Sequence, residues 1–294
     1  MACVPAFAQT EIGQLNMELS PDFAIQARKI EERIAIISID VETDYSGPQH
    51  EGLSRLPELI EMLSALNIPL TAFVEGKLFV IRPDLCEQLI SSGADVQLHC
   101  YDHSANNETP ESLSLGIAAY EKFVCRLPEG YRAGNYKLSN DLFHALVANS
   151  FKWDSSLLPA IGRGGKPRLA FEDADYFLLG NCITEFPIAV WRGIPIPLNQ
   201  AYRRLITQPG EALLRRLCRL PRLLVYNMHM VDLVRTQSLT SAPLPKPIKY
   251  LYQYTWRGNR RESFDSLREF IGFLHEKGYR FTTASKMYSE VRQQ

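Results

Sequence analysis

The stretch RIAIISID, residues 33–40, most tightly limits how this chain can fold. It is a short apolar run rich in β-branched residues, without the polar alternation of a strand that meets water on one side. It therefore reads as a strand buried on both faces, which needs a layer above and another below. The chain supplies those layers in regular order. A helical stripe at 53–67 puts Leu56, Leu59, Ile60, Leu63 and Leu66 on one face. There follow a strand at 68–76, a helix at 82–93 with proline near its start and glycine past its end, and a strand at 94–99. A helix at 109–124 opens with a threonine cap and a proline in its first turn. The rhythm continues through GYRAG (130–134), a helix at 139–150, FKWDSS (151–156), a less regular stretch from 160 to 215, a strand at 222–230, a helix at 261–278 and YRFTTAS (279–285). Strands alternating with helices predict βαβ units around a parallel sheet.

The number of units fits a barrel better than an open sheet. The expected fold is an α/β, distorted barrel in a single domain over residues 33–294, with residues 1–32 as a peripheral N-terminal extension. A chain of 294 residues suffices for one substantial core. Apolar residues make up 46% and charged residues 22%, which disfavours disorder and coiled coil. A net charge of −1 argues against nucleic acid as a partner, since that reading wants a strongly basic face. The six cysteines, Cys3, Cys86, Cys100, Cys125, Cys182 and Cys218, have no CxxC spacing, so a reduced, cytoplasmic chain is expected. No stretch approaches the ~20 apolar residues needed to span a bilayer.

This reading places the unusual residues at one level. Asp40, Glu42, His99, Arg132, Asp154 and His229 all fall at or just beyond the carboxyl end of an expected strand, the rim that carries the chemistry of α/β barrels. The segment VQLHCYDHSANN (96–107) sets His99 and His103 four residues apart. Such a pair occurs by chance in ordinary structural settings, yet it can also bring two ring nitrogens to one ion. A third ligand must come from elsewhere, and SIDVETDY (38–45) offers Asp40, Glu42 and Asp44 at the end of the first strand. Charged groups placed there cost desolvation unless they are paired or bind a cation. Asp40 and Glu42 point to the same side of a strand, so one can ligate while the other activates water. The competing reading is a turn cap with solvated neighbours.

On these residues the chain resembles the polysaccharide deacetylases of the NodB-homology group, carbohydrate esterase family 4, and most nearly their branch of lipid-linked sugar deformylases and deacetylases. The resemblance covers about residues 34–290 and implies a (β/α)7-type barrel. Carried over position by position, SIDVETD implies Asp40 as catalytic base and Glu42 as acidic metal ligand, with Asp44 as the alternative ligand or a substrate contact. HCYDH supplies His99 and His103 as metal ligands. YRAGNY supplies Arg132 and Tyr136, with Gly134 and Asn135 where the family usually has proline and glycine. KWDSSLLP supplies Asp154, and YNMHMVDL supplies His229 as catalytic acid, with Asp232 where related sequences often hold an acid.

The resemblance implies a metal-dependent hydrolase that removes an acetyl or formyl group from the nitrogen of an amino sugar in glycan or glycoconjugate biosynthesis. The divalent ion expected is Zn²⁺, with Fe²⁺, Co²⁺ and Ni²⁺ as alternatives. Asp154 or Arg132 is expected to hold its neighbours in orientation. Arg215, Arg216, Arg219 and Arg222, with the basic and aromatic loop 241–261 that contains Trp256, fit either a sugar carried on a nucleotide or lipid phosphate or, equally, solvated helix faces and ordinary surface loops. Two other readings remain: a cyclic amide or ureide hydrolase on the same scaffold, and a catalytically silent carbohydrate-binding protein.

Overall fold

The computed structural model describes residues 25–43, 51–102, 108–159, 174–194, 196–206, 208–234 and 263–293. Its strands are β1 (Ile25–Arg28), β2 (Ile34–Val41), β3 (Leu70–Val74), β4 (Asp95–Leu98), β5 (Gly130–Tyr131), β6 (Trp153–Asp154), β7 (Tyr176–Leu179), β8 (Ile183–Glu185), β9 (Leu223–His229) and β10 (Arg280–Phe281). β2 pairs in parallel with β3 and β9, and the parallel path runs on from β3 through β4, β5 and β6 to β8. Just past β8, Ile188 bridges Val225 of β9, which brings the curled sheet round onto itself. The result is an α/β single domain of the distorted (β/α)7 type, one side of which is held by this bridge.

β2 is buried along its whole length, and its two faces meet different partners. Ala35, Ile37, Ile39 and Val41 pack in one cluster with Leu56, Leu59, Leu267 and Phe270 of the surrounding helices. Ile34 and Ile36 join Phe73, Trp153, Phe186, Ile188, Leu223 and Val225 in a second cluster inside the curled sheet. Going up the interior, Ile34, Ile36, Ser38 and Asp40 of β2 stand in register with Leu223, Val225, Asn227 and His229 of β9. The barrel thus has an apolar floor and a polar mouth, and the change occurs between the second and third pair of each row.

Local signals determine the helix ends. Thr109 accepts the Ser112 N–H in a reciprocal capping box ahead of helix Pro110–Val124, and Ser139 caps Asn140–Ala148. Three features depart from the expected organisation. Ile25–Arg28, within the expected extension, is a strand antiparallel to β7. β7 and β8 form an antiparallel hairpin inside the stretch read as irregular, so the sheet is mixed. A further helix, Ala284–Arg292, closes the described chain. The strands among these carry weak signals, because they are short and lack alternation. Cys86, Cys100, Cys125, Cys182 and Cys218 are all free thiols, and no helix among the described residues is long and apolar enough to cross a membrane.

Candidate active site

Asp40 ends the interior row of β2, and Arg132, just past β5, reaches it from the side. Arg132 is fully buried. Its Nη1 donates to Asp40 Oδ1 at 2.7 Å, to Asn227 Oδ1 at 2.8 Å and to Ser38 Oγ at 3.1 Å. Nε and Nη2 donate to the Ser155 carbonyl and hydroxyl. The guanidinium carbon lies 3.8 Å from the centre of the Phe73 ring, which forms the apolar floor beneath it. Asn227 Nδ2 donates to Asp40 Oδ2 at 2.9 Å and also to the Tyr136 hydroxyl. Burial works to raise the Asp40 carboxyl, but Arg132, His229 and His99 hold it far below the usual carboxylate range. Asp40 is therefore an ionised carboxylate with one oxygen held by arginine and the other by an amide.

Two imidazoles, those of His99 and His229, lie beside the carboxylates of Glu42 and Asp40. His99 Nδ1 lies 2.7 Å from the Arg132 carbonyl, an acceptor, so Nδ1–H donates there and Nε2 is the nitrogen turned toward Glu42. Nε2 stands 3.5 Å from Glu42 Oε2. His229 Nε2 lies 3.4 Å from Asp40 Oδ2 and 3.9 Å from Glu42 Oε1, and its Nδ1 lies 3.1 Å from Asp232 Oδ2. Burial opposes the charged form of His229, yet Glu42, Asp232 and Asp40 raise its pKa well above the ordinary value. Glu75, fully buried at the end of β3, accepts the Thr43 N–H at 2.8 Å and so directs the chain where Glu42 leaves β2.

Two donor atoms ~2.1 Å from a tetrahedral ion stand ~3.4 Å apart. The His99 Nε2–Glu42 Oε2 separation of 3.5 Å matches adjacent ligand positions on such an ion. Among the described residues no group of three or more His, Cys, Asp or Glu side chains is arranged to hold a metal. His103, Asp44 and Trp256, each expected in the site, lie outside the described residues.

The structure brings together Asp40, Glu42, His99, Arg132, Tyr136 and His229. Asp154 sits at the same rim but turns elsewhere: its carboxylate accepts the Ser156 hydroxyl at 2.7 Å and N–H at 3.1 Å. Its register partner is Glu185 on β8, and both are fully buried. Burial raises both carboxyls, and the neighbouring Asp154 charge pushes Glu185 further. Of the two residues expected to orient their neighbours, Arg132 is in contact with Asp40, whereas Asp154 is in contact with Ser156.

Ser38, Asn227 and Glu185 had no place in the motif reading. Ser38 and Asn227 lie two residues before Asp40 and His229 on the same strand faces, so the period-two rule could have found them. Glu185 had no such signal, because its strand was read as irregular. In the third motif, Asn135 and Tyr136 both have φ of 55°. That conformation is costly for a tyrosine and is held here by the Asn227–Tyr136 contact.

Two of the arginines expected to face an anion, Arg215 and Arg222, are engaged elsewhere. Arg215 pairs with Glu211 at 2.6 Å and lies over the Phe273 ring. Arg222 donates to the Ile30 carbonyl, and the backbone of Arg219 forms an antiparallel β-bridge with that of Arg192. Arg219 and Arg222 precede β9, at the end of that strand opposite His229. The basic loop 241–261 lies outside the described residues.

No family model matches the chain. A peptidoglycan deacetylase-like protein of Gibberella zeae is 26% identical over 122 residues, which cover 39% of this chain and 36% of that protein; the match thus spans about a third of the relative's length. Among solved structures, a protein from Mycobacterium smegmatis described as a polysaccharide deacetylase aligns with a TM-score of 0.54 at 16% identity, covering 91% of this chain and 96% of that one. A peptidoglycan N-acetylglucosamine deacetylase aligns with a TM-score of 0.51 at 15% identity, covering 88% and 89%. The chain thus has the fold of the polysaccharide deacetylases, the family that its motifs resemble.

Proposed function

We propose that this chain is a hydrolase that removes an N-acyl group, acetyl or formyl, from an amino sugar of a glycan or glycoconjugate. The observation that carries this reading is the facing of Asp40 and His229 across 3.4 Å, beside the His99–Glu42 pair that fits a divalent ion. The similarity to proteins described as deacetylating polysaccharide and peptidoglycan supports an acetylated carbohydrate as substrate.

His99, Glu42 and His103 are the residues that would hold the ion, for which zinc suits the nitrogen and oxygen donors. An ion bound there supplies Lewis acidity to a water molecule and to the acyl carbonyl. The remaining work belongs to the chain. Arg132 and Asn227 keep Asp40 ionised and aimed, so that it accepts the proton of the attacking water. His229, its Nδ1 held by Asp232, presents Nε2 to the mouth, and in the charged form it delivers a proton to the departing amine nitrogen. The amide C–N bond breaks, the acyl group leaves as a carboxylate, and the sugar keeps a free amine.

Release of acetate or formate from N-acyl amino-sugar oligomers, N-acyl sugar nucleotides, lipid-linked N-acyl sugars and cyclic ureides tests the reading directly. The expected result is metal-stimulated release from one of the amino-sugar classes. Asp40→Asn should keep the metal and lose turnover, and His99→Ala should lose the metal. Retained metal in His99→Ala, retained turnover in Asp40→Asn, or release from the ureides alone overturns it.

A further inference from the structure

The motif resemblance expects Asp154 or Arg132 to hold its neighbours in orientation, and the structure engages each at a group other than His229. Arg132 holds Asp40, and Asp154 holds Ser156. Around His229 a different residue stands in contact. His229 ends β9 and is the residue before the one-turn helix Met230–Leu233. Asp232, on that turn, sends its carboxylate back: one oxygen, Oδ2, accepts the His229 backbone N–H at 3.0 Å and lies 3.1 Å from His229 Nδ1. A single carboxylate oxygen thus ties the backbone and the ring of the same histidine, leaving the ring little rotational freedom. The opposite ring nitrogen then points to Asp40 Oδ2 and Glu42 Oε1.

The turn that carries Asp232 is itself anchored. Arg204, buried on helix Gln200–Leu205, donates Nη1 to the backbone carbonyls of Val231 at 3.3 Å and Asp232 at 3.1 Å. A guanidinium at the C-terminal end of this turn donates to its carbonyls and opposes their partial negative charge. Arg204 belongs to no motif and lies within the stretch that the sequence pattern left irregular.

We propose that Asp232 is the positioning residue of His229, taking its Nδ1–H and fixing the ring so that Nε2 faces the reacting centre, with Arg204 locking the turn on which Asp232 sits. This rests on the N-acyl hydrolase reading, in which His229 is the acid. A base or acid held loosely by about an ångström loses on the order of 10²-fold in rate, whereas substrate binding, made by other groups, is unaffected.

The test is steady-state kinetics of Asp232→Asn, which keeps an oxygen for the His229 N–H and removes the charge, alongside Asp232→Glu, which keeps the charge and displaces it. The expected result is a kcat lowered roughly 10- to 100-fold in Asp232→Asn with KM within about twofold of wild type, and a smaller loss in Asp232→Glu. Arg204→Lys should recover most of the kcat lost in Arg204→Gln. Wild-type kcat in Asp232→Asn overturns the proposal. So do losses in both Asp232 variants that merely track the folded fraction seen by melting. Asp40→Asn in the same assay separates the two readings: if it is inactive while Asp232→Asn is fully active, only the positioning role falls, and if Asp40→Asn is itself active, the hydrolase reading falls.

Discussion

Arg132 Nη1 lies 2.7 Å from Asp40 Oδ1, with the arginine fully buried and the aspartate 2% exposed. The same guanidinium nitrogen reaches Ser38 and Asn227, so one buried cation organises the polar end of the interior rows of β2 and β9.

Breaking that pair leaves a carboxylate buried without its cation, which costs about 3–5 kcal/mol. Arg132→Met is expected to lose that much stability in urea unfolding, together with turnover. Arg132→Lys keeps the charge but cannot reach Asp40 and both Ser155 acceptors at once, and it should fall between Arg132→Met and wild type.

Asn227 contributes through hydrogen bonds alone. Asn227→Leu keeps the branching of the side chain but withdraws the donor to Asp40 Oδ2 and the acceptor for Arg132. Each buried polar group left unsatisfied costs about 1–3 kcal/mol. A lower urea midpoint and reduced kcat are expected; a midpoint equal to wild type would show that water replaces the amide.

Gly130 answers to packing. A Cβ there would stand 2.0 Å from Trp153 Cζ2, and Trp153 is fully buried against Phe73 and Phe186. The ring has nowhere to move, so Gly130→Ala is expected to cost at least about 3 kcal/mol, the upper end of overpacking penalties. Differential scanning calorimetry reads this as a lowered Tm.

Glu108 predicts a pH dependence. Its carboxyl accepts the Tyr131 hydroxyl and the Tyr101 N–H, and burial pushes its pKa up from 4.5 to about 7. A carboxyl raised in the folded state contributes stability that is fully present below the unfolded value and lost as pH rises through the folded one. The loss should therefore develop between about pH 4.5 and 7, on the order of 3 kcal/mol by the pKa difference. Glu108→Gln mimics the protonated form. It should match wild type near pH 4.5 and exceed it in unfolding free energy at pH 8.

Much of the site was legible because strands obey a period of two. The spacing of Asp40 and Glu42, and the position of each candidate at a strand end, follow from local pattern alone, and the helix beginning at Pro110 was marked by its own cap. The hairpin β7–β8 was not legible. β7 finds its partners in β1 and β8, and its four residues carry no periodicity that separates strand from loop.

By itself the sequence determined which residue types stand at the strand ends, since burial and side-chain alternation are local consequences of the chain. Tertiary structure alone decided which of them meet. Asp40 and Asn227 are 187 residues apart and touch because β2 and β9 pair in register. Asp154 and Asp232 are both aspartates near a strand end. Only the direction in which each chain segment leaves its strand puts the second, and not the first, against the His229 ring. Pairing and direction depend on contacts between distant segments, and such contacts leave no periodic trace in the order of residues.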